Sequence, residues 1–163
     1  MIRQILLCVV LCVAVGVTSC AREGEYFSFC ERGFCARVGG RTNGVEFEAE
    51  VRSDGEVRTV RYLGGEALEG LTVTVEEDED EVKVWMGETE AVMEREAAEG
   101  LLMPILALTA YESGVESVQK TNGETSVRMR DGREVILGKD GIPLSVRGEK
   151  ISFAVLSWAF IDG

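Results

Sequence analysis

The chain has 163 residues, 45% apolar and 28% charged, with 17 basic against 29 acidic side chains and no histidine. That length suits one domain with one core, and two prolines with scattered glycines exclude collagen-like and disordered classes. A net charge of −12 argues against nucleic acid, whose phosphates need clustered Lys and Arg, and the lack of histidine excludes Ser-His triads and His-ligated zinc.

Residues 1–19 read as an export signal, with Arg3 ahead of an uncharged apolar run from Ile5 to Val17. As a helix this run reaches only about 20 Å at ~1.5 Å per residue, short of a bilayer's ~30 Å hydrocarbon core. Its end, Val17-Thr18-Ser19-Cys20, resembles the bacterial lipobox, with an aliphatic residue three positions and a small residue one position before a cysteine. The resemblance implies that Cys20 receives a diacylglycerol and, after cleavage, begins the mature chain. Ala21 to Glu25 is then a short polar tether, so the chain divides into a signal (1–19), a lipidated N-terminus with tether (20–25) and one β-rich domain (26–163). Cleavage also removes Arg3, so the mature chain is still more acidic and membrane attachment must be covalent rather than electrostatic. The expected location is the outer face of the cytoplasmic membrane, or the periplasm or outer membrane of a host that has one.

Cys8 and Cys12 leave with the signal, which leaves Cys30 and Cys35. Outside the cytoplasm these form either a disulfide, if Glu31-Arg32-Gly33-Phe34 turns back, or two thiols. Two thiolates without further Cys or His make a poor zinc site.

From Tyr26 onward the pattern has period two with turn dipeptides, as in strands joined by hairpins. In Val45-Glu46-Phe47-Glu48-Ala49-Glu50-Val51-Arg52 every odd position is apolar and every even position charged, so one face is buried and the other wet. Phe34 to Val38 also alternates and meets this segment at Asn43-Gly44, a pair suited to a turn with two positive φ angles. Further strands follow at 57–63, 71–75, 82–86, 115–120, 124–129, 133–137, 144–147 and 150–160, with turns at Asp54-Gly55, Asn122-Gly123, Asp131-Gly132 and Asp140-Gly141. About ten strands in chain order predict a mainly β fold, an antiparallel meander. Residues 100–114 break the period, and Pro104 fits a first helical turn, so a helix is expected from about Leu102 to Ser113. Apolar nearly all round, it must be covered on most sides, as across the apolar face of the sheet. Ile151 to Ile161, apolar on both faces, should lie against the helix or a concave cavity.

Other constellations point to structure rather than chemistry. Glu76 to Glu81 is six acids in a row, but it lacks the glycine that bends an EF-hand loop and reads as a solvated hairpin tip. No carboxylate pair stands out as an acid and base, no glycine loop precedes a helix to cradle phosphate, and no catalytic residue, metal or cofactor is assigned. Trp85 lies opposite Val84 and Met86, on the outer face, whereas Trp158 is expected to pack.

A short-turn meander with one apolar helix behind a lipobox is similar to the open half-barrel of periplasmic lipoprotein carriers and receptors, the LolA/LolB-like fold, and to mycobacterial lipoproteins that hold lipids. The stretch from Tyr62 to Val73 within 57–75, and the turn Gly138 to Pro143, look like segments of small uncharacterised lipoproteins of clostridial type. The resemblance implies a sheet curved into an open half-barrel with the helix over its concave face, and an apolar groove between them able to take an acyl chain. Its candidate lining is Val45, Phe47, Ala49, Val51, Leu71, Val73, Val75, Val84, Met86, Phe153 and Val155, with Leu102, Ile105, Leu106 and Leu108 from the lid. The same stripe is equally the pattern of a closed core. The expected role is therefore a monomeric, non-enzymatic, membrane-anchored lipoprotein holding a lipid or lipidated partner. The alternative is an envelope interaction domain with a closed core and an acidic partner-binding face.

Overall fold

Alternating apolar side chains and tight turns combine into one antiparallel sheet of eleven strands in this computed structural model, which describes residues 26–161. A one-turn 3-10 segment (Ser28–Glu31) is followed by β1 (Phe34–Thr42), β2 (Val45–Ser53), β3 (Val57–Gly64), β4 (Leu71–Glu76), β5 (Glu81–Met86) and β6 (Thr89–Glu94). Helix α1 (Arg95–Thr109) comes next, then β7 (Val115–Thr121), β8 (Glu124–Met129), β9 (Glu134–Leu137), β10 (Pro143–Arg147) and β11 (Ile151–Phe160). The spatial order is β6-β5-β4-β3-β2-β1-β11-β10-β9-β8-β7. This is a meander in two wings rather than one run: β1 pairs with β2 on one side and β11 on the other, and α1 links the outermost strands. The sheet stays unclosed, an open half-barrel with edges at β6 and β7. Register shifts at Arg37/Val38, Glu48/Ala49, Val115/Ser117 and Pro143/Ser145 supply the bulges that increase twist and bend the strands.

The turn chemistry behaves as expected. Asn43-Gly44 and Asn122-Gly123 adopt φ of 49°/83° and 52°/86°, the doubly left-handed turn whose twist matches that of the flanking strands. At Gly40 the backbones of β1 and β11 lie so close that a Cβ would stand 2.0 Å from the Ser152 carbonyl oxygen, so the central seam requires glycine there.

Two elements differ from the expectation. β6 was not anticipated: Thr89-Glu90-Ala91-Val92-Met93-Glu94 exposes most of its side chains as an edge strand and so lacks the clean alternation of inner strands. The helix runs from Arg95 to Thr109 rather than 102 to 113. Arg95-Glu96-Ala97-Ala98-Glu99 are good helix formers, with Glu96 favourably placed in the first turn, and Pro104 is tolerated mid-helix. The interior proline forfeits the hydrogen bond to Gly100, but Leu102, Ile105 and Leu108 are fully buried around it, and their burial offsets the cost. Beyond Ala110 the chain leaves the helix for a turn closed by the Gly114 N–H donating to the Tyr111 carbonyl at 3.1 Å.

The core lies on the concave side. Val38, Ala49, Val51, Val60, Val73, Val75 and Val82 point toward α1, which packs over β1 to β6, β10 and β11. Concave Val127, Met129, Val135 and Leu137 of the other wing are also buried. Phe27 and Phe29 of the preceding segment join the same core, with Tyr26 and Cys30 partly buried against it: Phe27 stacks on Tyr111 at 3.7 Å between ring centroids, and the Tyr26 ring lies 5.8 Å from the Lys120 ammonium of β7.

Candidate functional site

The concave face and its cover form the candidate site. Of the candidate lining, Phe47, Ala49, Val51, Leu71, Val73, Val75, Val84, Leu102, Ile105, Leu108 and Phe153 are buried together between sheet and helix, and Val155 and Leu106 pack partly buried against them. Val45 and Met86 do not belong: they are 41% and 49% exposed, at the strand ends beside the β1–β2 and β5–β6 turns. Period two put them in the inward set, but as the terminal residues of their strands they stay open to solvent.

Polar contacts hold the cover down. The Tyr62 hydroxyl donates to the Leu101 carbonyl of α1 at 2.9 Å, and burial raises its pKa above the ordinary phenol value. At the helix C-terminus the Arg133 guanidinium donates to the Leu106 carbonyl at 3.3 Å, which also accepts from the Ala110 N–H at 2.8 Å, and to the carbonyl of Ala110. Arg133 is held in turn by Asp131, with contacts of 2.9 and 2.7 Å, and Ser113 donates to the same carboxylate at 2.9 Å. Burial of Asp131 works against its charge, but hydrogen bonds from the Arg133 side chain and backbone and from Ser113 outweigh it and hold the pKa below the usual value. Arg133, Tyr62 and Tyr111 were not singled out from sequence. The dense aromatics Tyr26, Phe27, Phe29 and Phe34 were the available signal for the second part of the cover.

That second part is an aromatic strap. Phe29 meets the edges of Tyr111 and Trp158 at 6.1 and 5.4 Å, and Trp158 stacks on Phe34 at 4.3 Å, so Trp158 packs as expected. Within this cluster the Tyr111 hydroxyl and Trp158 Nε1 are buried without a hydrogen-bond partner. Arg58, on the same face as Val60 and Tyr62, reaches Glu77 at 3.2 Å, while its Nε is buried and unpartnered.

Cys30 and Cys35 stand here as free thiols, one of the two alternatives. Cys30 donates to the Leu108 carbonyl at 3.1 Å beneath the helix, and burial pushes its pKa up to about 12. Cys35 falls between inward Phe34 and Ala36 and so points from the opposite, convex face. A four-residue spacing does not reveal that a strand begins between the two cysteines.

Outside the core, Val92, Leu144 and Leu156 are exposed along with Val45 and Met86, and the surface depressions have mixed linings. One depression over β7 to β9 is lined by Gln119, Thr121, Asn122, Glu124, Ser126 and Ile136, and another by Gly40, Arg41, Glu46, Phe47, Glu48, Gly64 and Gly65. Neither includes a residue of α1. The Glu76–Glu81 stretch is an exposed hairpin tip, and among the described residues no cluster of three or more His, Cys, Asp or Glu is placed to hold a metal. Trp85 lies half-buried on the convex face across from Thr72 and Glu90. Among the described residues no helix is long and apolar enough to cross a membrane. Cys20, the signal 1–19 and the tether 20–25 lie outside the described residues.

No protein-family model matches the chain, and no curated protein matches it in sequence. Among solved structures it is similar to an uncharacterized conserved protein from Thermus thermophilus, at 14% identity over 86% of each chain with a TM-score of 0.56. What the two share is the fold, an all-antiparallel β sheet.

Proposed function

We propose that this chain is a lipid-anchored extracytoplasmic lipoprotein of LolA/LolB-like type, without enzymatic activity. Its concave apolar face takes an acyl chain or lipidated segment when the cover lifts. The observation that carries this reading is the construction of the cover. A sheet left open as a half-barrel has its apolar side closed by one helix and one aromatic strap, each a separate segment packed through buried apolar side chains and pinned by a few polar contacts. The Val17-Thr18-Ser19-Cys20 motif supports the anchor, and the absence of histidine supports a binding rather than a catalytic role.

The test has two parts. Cys20→Ala should move the protein from the membrane to the soluble fraction, and continued membrane retention defeats the anchor. Native mass spectrometry of protein extracted from membranes should show a co-purifying lipid beyond the covalent one, and a bare protein mass defeats acyl binding.

A second reading rests on a specific observation, the near-complete burial of most of the candidate lining. On this reading the core is permanently filled, and the acidic wing, with Glu76 to Glu81 at its tip, engages a cationic protein or wall polymer. Failure to find lipid together with salt-sensitive retention on a cationic polymer favours it.

A further inference from the structure

We infer that an acyl ester is the ligand class of the concave face, its carbonyl end taken by the Tyr111 hydroxyl and the Trp158 indole N–H and its chain laid along the row from Ala36 to Val84. The inference rests on the acyl-binding reading above and names the ligand. Its first support is a set of donors without acceptors. The Tyr111 hydroxyl, Trp158 Nε1 and Arg58 Nε are buried with no hydrogen-bond partner among the described residues. All three border the strap residues Phe29 and Cys30. The Phe29 ring stands edge-on to Tyr111 at 6.1 Å and to Trp158 at 5.4 Å, and the Cys30 thiol is within electrostatic reach of Tyr111 and Arg58. Buried donors left unpaired cost free energy, so an acceptor brought by a ligand is favoured where the strap meets the helix. The cations nearby are already matched: Arg58 faces Glu77 at 3.2 Å, and Arg133, beside Tyr111, faces Asp131 at 2.7 Å. What is missing is therefore a neutral acceptor, a carbonyl oxygen rather than an anion.

Strand register supplies the second, independent support. Trp158 pairs with Ala36, Ala36 with Val51, Val51 with Val60, Val60 with Val73 and Val73 with Val84. From the indole onward this row is aliphatic and buried, and it crosses from β11 to β5 on the concave face. Its span is about 24 Å at ~4.8 Å per strand, enough for a long acyl chain. The unpaired donors stand at one end of the row and nothing polar interrupts it, so a polar head and an apolar tail fit one molecule once the cover lifts.

The full chain in detergent micelles, titrated with monopalmitoylglycerol and with its hexadecyl ether analogue, tests this, because the two lipids differ only in the carbonyl. The ester should bind about tenfold tighter and shift the indole N–H resonance of Trp158. Trp85, half-buried on the convex face, is the only other indole and should not move. Tyr111→Phe keeps the ring on Phe27 and removes the unpaired hydroxyl, so it should reduce the ester preference several-fold without lowering the stability of the empty protein. Equal binding of the two lipids with an unmoved Trp158 indole means that the donors hold ordered water only, and it overturns the carbonyl site while leaving acyl binding intact. An ester preference retained in full by Tyr111→Phe overturns the site as well. Binding of neither lipid defeats the acyl-binding reading itself.

Discussion

The two wings of the sheet solve the same problem with different materials. Over β2 to β5 the apolar face is mostly aliphatic, Phe47 and Tyr62 apart, and helix α1, which follows β6 directly in the chain, covers it with Leu102, Ile105 and Leu108. Toward the β7 side much of the cover is aromatic, and part of it comes from residues 26–31 at the far end of the chain. The helical cover carries its own backbone hydrogen bonds, whereas the strap depends on rings meeting rings. Arg133 joins the two systems, since its guanidinium holds the last turn of α1 while lying 5.8 Å from the Tyr111 ring. The wings differ in charge as well, one near neutrality and the other strongly acidic.

The sharpest way to break this division is at the seam, where both systems meet. Phe34, fully buried on β1, stacks on Trp158 and faces Phe29, so Phe34→Ala should lower stability by about 3–5 kcal/mol, read as a lower denaturant midpoint with unchanged slope. Leu102→Ala, beneath the helix alone, should cost about 2–5 kcal/mol and open β2 to β4 amides to exchange. Equal loss of protection in both wings would show that the two covers act as one. Arg133→Ala leaves the Leu106 and Ala110 carbonyls without that donor and should cost about 1–3 kcal/mol in the same denaturation assay.

Asp131 gives the pH counterpart. Its pKa is lower in the folded state, so its contribution is fully present above the unfolded carboxylate value of about 4 and is lost as pH falls through the folded value. An acid titration should therefore destabilise wild type more than Asp131→Asn, and parallel titrations would remove Asp131 from the clamp. The thiols report on burial without an energy: an alkylating reagent at mild alkaline pH should modify Cys35 first and Cys30 only on unfolding. The smallest effect belongs to the acidic tip, where Asp78→Asn/Asp80→Asn should change stability by no more than about 0.5 kcal/mol and slightly reduce its salt dependence.

Local features of this fold were legible, and nonlocal ones were not. The strict alternation at 45–52 and the Asn-Gly and Asp-Gly pairs specify strands and turns through steric rules that act over two to four residues. Nothing so local announces that β1 pairs with β11, because the apolar faces of both strands fit several neighbours equally well. The helix boundaries were displaced because packing, not the position of Pro104, decides where α1 begins. β6 escaped notice because an edge strand has only one partner and weaker demands on its side chains. At the candidate site the inward stripe was correct along strand interiors and failed at Val45 and Met86. The Arg133 clamp was invisible because an arginine after a turn looks like any solvated charge until a helix end is placed against it.

The seam between β1 and β11 also bears on how the molecule is made. A strand at the start of the domain waits for its second neighbour until the last one emerges, with more than a hundred residues between them. Such distant closure is slow, and until it happens each half presents an extra bare edge to other chains. Truncation within β11 would therefore reach the centre of the architecture rather than its periphery, and newly made copies are most vulnerable to aggregation just before synthesis ends.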